Sequence, residues 1–132
     1  MKKQFINPPE IHKPRGYSHV VAVEGGRAIY ISGQVAVDRD GNLVGRGDLR
    51  AQAEKASENL LAALKAAGAS PADIVKMNTY VVNYKPEDYR IVREVRTRMF
   101  ADVEPPASTL VGVAALAVEG LLIEMEAVAA VA

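Results

Sequence analysis

Two carboxylates stand one residue apart in the run Leu121-Leu122-Ile123-Glu124-Met125-Glu126-Ala127-Val128. In an extended chain, alternation puts Leu121, Ile123, Met125 and Ala127 on one face and Leu122, Glu124, Glu126 and Val128 on the other. A carboxyl group among aliphatic side chains loses solvation, which raises its pKa toward values useful in acid–base chemistry. Glu124 is therefore the leading candidate for a chemical role, and a salt bridge to a Lys or Arg of a second subunit is its structural alternative. Tyr17, between Gly16 and Ser18, is placed to line the mouth of a pocket or simply to pack. Other residue types exclude more than they offer. The two histidines, His12 and His19, have no carboxylate at a ligand-like spacing, so no metal site is expected. The absence of cysteine excludes disulfides and thiolate chemistry and fits a cytoplasmic protein. Ser32-Gly33-Gln34 lacks the two-glycine frame of a hydrolase nucleophile elbow. Gly25-Gly26 precedes a strand rather than a helix, so it is not a phosphate loop, and no cofactor is expected.

The elements that must position these residues are legible in order. Residues 1–16 are proline-rich and aperiodic and read as an extended lead-in. Residues 19–24 and 27–32 read as two strands joined by a Gly25-Gly26 hairpin turn. Gly33 interrupts the pattern as a bulge or a close backbone approach. The clearest helix covers 48–67, with Leu49, Ala53, Ala56, Leu60, Ala63, Leu64 and Ala67 on one stripe, Asp48 as cap and Gly68 as its C-terminal stop. Ser70 to Asp73 forms a second short cap, 74–83 a strand of mixed polarity, and 86–100 a second helix. That helix turns Tyr89, Val92, Val95, Met99 and Phe100 inward. Pro105-Pro106 marks the start of a strand over 107–113, and the two-glutamate strand closes the order ββαβαββ. This is a single α+β domain over 1–132, one mostly antiparallel sheet with two helices on one face. Two helices cover only one face, yet the strands are apolar on both, so a symmetric homo-oligomer is expected to bury the other.

Sixteen basic and sixteen acidic residues give a formal net charge of zero, which argues against nucleic acid as a partner. The N-terminus has no apolar core of a signal peptide, and no apolar run is long enough for a membrane span.

Gly16-Tyr17-Ser18-His19, Ile31-Ser32-Gly33-Gln34, Gln52 to Leu60, Asp73 to Val81, Pro106-Ala107 and Ile123 to Ala127, in this order and spacing, resemble the RidA/YjgF family over nearly the whole chain. The resemblance implies a chorismate-mutase-like fold and a homotrimer whose sheets form a central barrel, with a pocket at each subunit cleft. It also implies hydrolysis of small reactive enamines and imines. Tyr17 would then line the pocket, Ser32 and Gly33 would sit beneath it, and Glu124 would position the attacking water. One departure is specific to this chain. Deaminating members follow Pro-Ala with an arginine that grips the substrate carboxylate through two parallel bonds. Ser108 stands there instead, short, neutral and with one donor. Either the ligand lacks that carboxylate, another arginine (Arg15, Arg93, Arg96 or Arg98) reaches the site, or the pocket no longer deaminates. A non-catalytic small-molecule binder is the alternative reading, and a ribonuclease, the label of some relatives, the remote one.

Overall fold

Asp48 starts the long helix. Its carboxylate accepts the Ala51 N–H at 3.1 Å, and α1 then spans Leu49–Ala66 in the computed structural model, which describes all residues Met1–Ala132. Gly68 ends it with φ +77°, and the N–H groups of Ala69 and Gly68 return to the carbonyls of Leu64 and Lys65 at 2.9 and 3.0 Å. This paired closure satisfies carbonyls that a helix end otherwise leaves open, and it uses the left-handed φ that glycine adopts without strain. Ala53, Ala56, Leu60 and Leu64 are fully buried, with Leu49, Ala63 and Ala67 packed beside them. Small side chains on this stripe let α1 sit close to the sheet.

The strands are β1 (Lys2–Ile6), β2 (Val20–Glu24), β3 (Arg27–Val35), β4 (Ile74–Val82), β5 (Ala107–Val113) and β6 (Ile123–Val131); α2 spans Asp88–Met99, and a 3-10 turn at Pro71–Asp73 leads into β4. The main sheet runs β3-β6-β4-β5, antiparallel except for the parallel pair β4–β5. Ile123, Met125, Ala127 and Ala129 of β6 are buried in the same core as the α1 stripe, and Glu124, Glu126 and Val128 lie half-buried on the other face. That face carries no helix, and Tyr30 there is 80% exposed. No helix is long and apolar enough to cross a membrane.

Three expectations are corrected. The lead-in contains a strand: β1 pairs antiparallel with β2, Lys2 opposite Glu24 and Ile6 opposite Val20. The β2–β3 hairpin does not form, although Gly25 and Gly26 turn the chain with φ +75° and +84°. The cause lies upstream. Ser18 is tied to the far edge of the sheet, its N–H donating to the Pro106 carbonyl at 3.0 Å and its hydroxyl to the Pro105 carbonyl at 2.6 Å. Because β5 and β3 are opposite edges, the chain from Ser18 to Arg27 must cross between them, so β2 cannot lie along β3. Tyr89 is not inward either; it is 37% exposed, because the first turn of α2 precedes the part of the helix that reaches the core at Val92. Arg96, on the same stripe as Val92 and Met99, is buried instead.

Candidate functional site

Glu124 sits in the middle of the sheet, opposite Val35 of β3 on one side and Tyr80 of β4 on the other. The register of β3 on β6 slips between Ile31 and Gln34, so the chain bulges at Ser32-Gly33 as the glycine suggested. The Glu124 side chain fills the space over that bulge. A Cβ added at Gly33 would overlap its carboxylate and press on its Cγ, so the Glu124 side chain keeps its place only with glycine there, through contact rather than backbone angle.

Two amides from α1 hold both strands of this contact. Asn59 donates from Nδ2 to the carbonyls of Val35 and Val37, each at 2.9 Å, and fixes β3 just past the bulge. Gln52, fully buried, donates to the Gly120 carbonyl at 2.9 Å and the Gly45 carbonyl at 3.2 Å, and its Oε1 accepts the Leu122 N–H at 2.8 Å. Every polar atom of that amide is thus engaged, and the entry to β6 is set two residues before Glu124.

Beside Glu124 lies a cluster that the sequence reading did not single out. Glu126 Oε1 accepts from Tyr80 Oη at 2.5 Å and from Asn78 Nδ2 at 3.0 Å. The tyrosine hydrogen bond, then the asparagine one, hold the Glu126 carboxyl below its ordinary range. The same bond, aided by burial and by the charges of Glu126 and Glu124, pushes the Tyr80 phenol up. Glu126 and Asn78, with Tyr30, Ser32, Lys76 and Val128, line an open cavity of about 300 Å³ on the uncovered face. Lys76 at its rim donates to Thr109 Oγ1 at 2.7 Å. The available signal was alternation in β4, which puts Lys76, Asn78 and Tyr80 on one face; only the strand register could show that this is the face of the glutamates.

The remaining site candidates are dispersed. Gly33 and Glu124 meet, and Ser32 lines the cavity. Tyr17 lies at the β5 edge, its hydroxyl 2.8 Å from His12 Nε2 and its ring edge-on to His19. Ser108 pairs in register with Met77 and shares the helix-side face with Leu110, opposite to that of Glu124, and its hydroxyl is buried without a partner. Among the arginines, Arg98 reaches Glu54 at 3.2 Å, and both Arg93 and Arg98 line a hollow of about 650 Å³ on the helix layer whose lining residues are all polar or charged. Arg15 is exposed and Arg96 is buried. None of the four belongs to the cavity of Glu126.

Residues 9–131 match the family model described as endoribonuclease L-PSP. A 2-iminobutanoate/2-iminopropanoate deaminase of the mite Dermatophagoides farinae is 35% identical over 115 residues, 86% of each chain. The crystal structure of the conserved Rid-family protein YyfB of Yersinia pestis superposes with a TM-score of 0.93 at 41% identity, covering 99% of this chain and 100% of the other. Escherichia coli TdcF, crystallised with bound serine, gives a TM-score of 0.71 at 29% identity over 92% and 91% of the two chains. The chain belongs to the RidA/YjgF family.

Proposed function

We propose that this protein hydrolyses small imines or enamines, with Glu124 placing the attacking water, in clefts completed by neighbouring subunits of a homotrimer. The observation that carries this reading is the Glu124 carboxylate held over Gly33, between strands pinned by Gln52 and Asn59, on a face no helix covers. Its chemistry is undemanding. An imine carbon is already electrophilic; water adds to it, the carbinolamine collapses, and one carbonyl compound and one ammonia leave for each water consumed. Holding water in line and accepting its proton supplies most of the rate. Tyr17, Ser32 and Gly33 serve as pocket wall and floor.

The missing arginine narrows the substrate: Ser108 faces the helix layer, away from Glu124, and none of Arg15, Arg93, Arg96 or Arg98 lines the open-face cavity. A small 2-imino acid has few atoms besides its carboxylate by which to be held, and a pocket without that arginine lacks a bidentate grip worth about 2–4 kcal/mol, roughly 30- to 1000-fold in rate. The expected substrates are therefore bulkier or uncharged imines, and activity on 2-aminoacrylate is weak. Ammonia release from freshly generated imines tests the reading. Glu124→Gln is expected to remove at least about 100-fold of any activity while fold and assembly persist; equal activity in the variant overturns it. A binding role without catalysis is the second reading, supported by the serine held in TdcF. It predicts saturable ligand binding with no ammonia release. The ribonuclease reading gains no support from a chain of zero net charge with two glutamates on its open face.

A further inference from the structure

We propose that Arg96 forms the binding site for a small oxyanion, a carboxylate or a phosphate, at the C-terminal end of α2. Arg96 is 6% exposed and takes no hydrogen bond or ion pair from the rest of the chain, unlike the exposed arginines around it. Two acids of the helices pair with other arginines: Glu94 with Arg50 at 2.7 Å and Arg90 at 3.6 Å, Glu54 with Arg98 at 3.2 Å. Asp102 and Glu104, on the following loop, are exposed and turn to no cation. The residue is buried while its guanidinium nitrogens are not among the sealed polar atoms, so the charge meets water only at the cavity and has no counter-charge within the chain.

The group is not sealed in packing. It lines a cavity of about 210 Å³ together with Gly16, Thr97, Phe100, Ala101 and Pro105. Gly16 closes over the guanidinium, with φ +75° and Nη2 only 3.5 Å from where a Cβ would stand. The space suits a ligand of a few heavy atoms, and the fork of N–H donors matches two oxygens of one anion. This pocket lies with the helices, across the sheet from Glu124, and is a different site from the open-face cavity.

Calorimetric titration with acetate and, separately, inorganic phosphate, at ionic strength held constant with chloride, tests the proposal. Wild type is expected to bind at least one of the two saturably in the millimolar range, and the preferred anion names the ligand class. Arg96→Gln is expected to weaken that binding about tenfold or more. Glu124→Gln is expected to bind as wild type does, which separates this site from the hydrolytic reading. Absence of saturable binding by wild type, or unchanged binding by Arg96→Gln, overturns it. Should Arg96→Gln fail to fold, Ala101→Glu against Ala101→Gln decides. A carboxylate built into the cavity is expected to abolish anion binding and raise the melting temperature relative to its amide control; equal binding in the two overturns the site.

Discussion

The carboxylate of Glu124 lies in the volume that any side chain at residue 33 would need. Gly33→Ala is therefore expected to swing Glu124 away while leaving the backbone unstrained. The overlap falls mainly on the end of a flexible side chain, so the stability cost should be modest, about 1 kcal/mol. Hydrolysis should fall nearly as far as in Glu124→Gln. Thermal unfolding and ammonia release, measured on one preparation, check the pair; intact activity would show that the carboxylate is not needed where it stands.

Tyr80→Phe removes the first cause of the lowered Glu126 pKa. At neutral pH the loss is expected to be about 1 kcal/mol. A carboxyl whose pKa is depressed on folding contributes stability above its unfolded value and loses it as pH falls through the folded one. The deficit of the variant should thus be full above the ordinary carboxyl value of 4.5 and shrink as the solution is acidified below it. At the alkaline end, the phenol raised above 10.0 contributes below that pH and loses its contribution as pH rises through its folded value. Urea unfolding across pH reads both limbs, and a deficit constant with pH would contradict the assignment.

Gln52→Leu leaves the Leu122 N–H and the Gly120 carbonyl without their buried partner. The expected cost is about 2–4 kcal/mol, read as a lower urea midpoint at unchanged slope. Because the amide sets the entry to β6, activity should drop even at temperatures where the variant remains folded.

The uncovered face predicts assembly. Sedimentation velocity should give three times the chain mass. Val111→Asp, at a position 40% exposed in the single chain, should dissociate the trimer without unfolding the subunit. A wild-type monomer at micromolar concentration would refute the expectation.

Local signals carried much of the fold. The alanine stripe, Asp48 and Gly68 fixed α1 nearly to the residue, and strict alternation sorted the two faces of β6. Gly33 announced the bulge but not its occupant. Pairing was harder, because it depends on residues far apart. Gly25-Gly26 has hairpin chemistry, yet hydrogen bonds from Ser18 to the entry of β5 decide where β2 goes. Nothing local to Arg96 tells that a charged side chain on a helix stripe stays buried. Asn78 and Tyr80 join Glu126 only once β4 is known to lie against β6. The face of Ser108 likewise follows from its parallel register with Met77.

The placement of β6 bears on how the sheet comes into being. It follows every other strand in the chain, yet it lies between β3 and β4 and joins them. Arg27 meets Val131 across a loop of about a hundred residues, a closure whose entropy must be met before the contact returns anything. During synthesis β3 and β4 emerge as apolar edges with no neighbour, and of the main sheet's pairs only the parallel pair β4–β5 can form before β6. The helices can collapse first, but the sheet waits for its keel. Folding of this chain is therefore expected to be slow and late, and its most vulnerable interval is the one before β6 arrives.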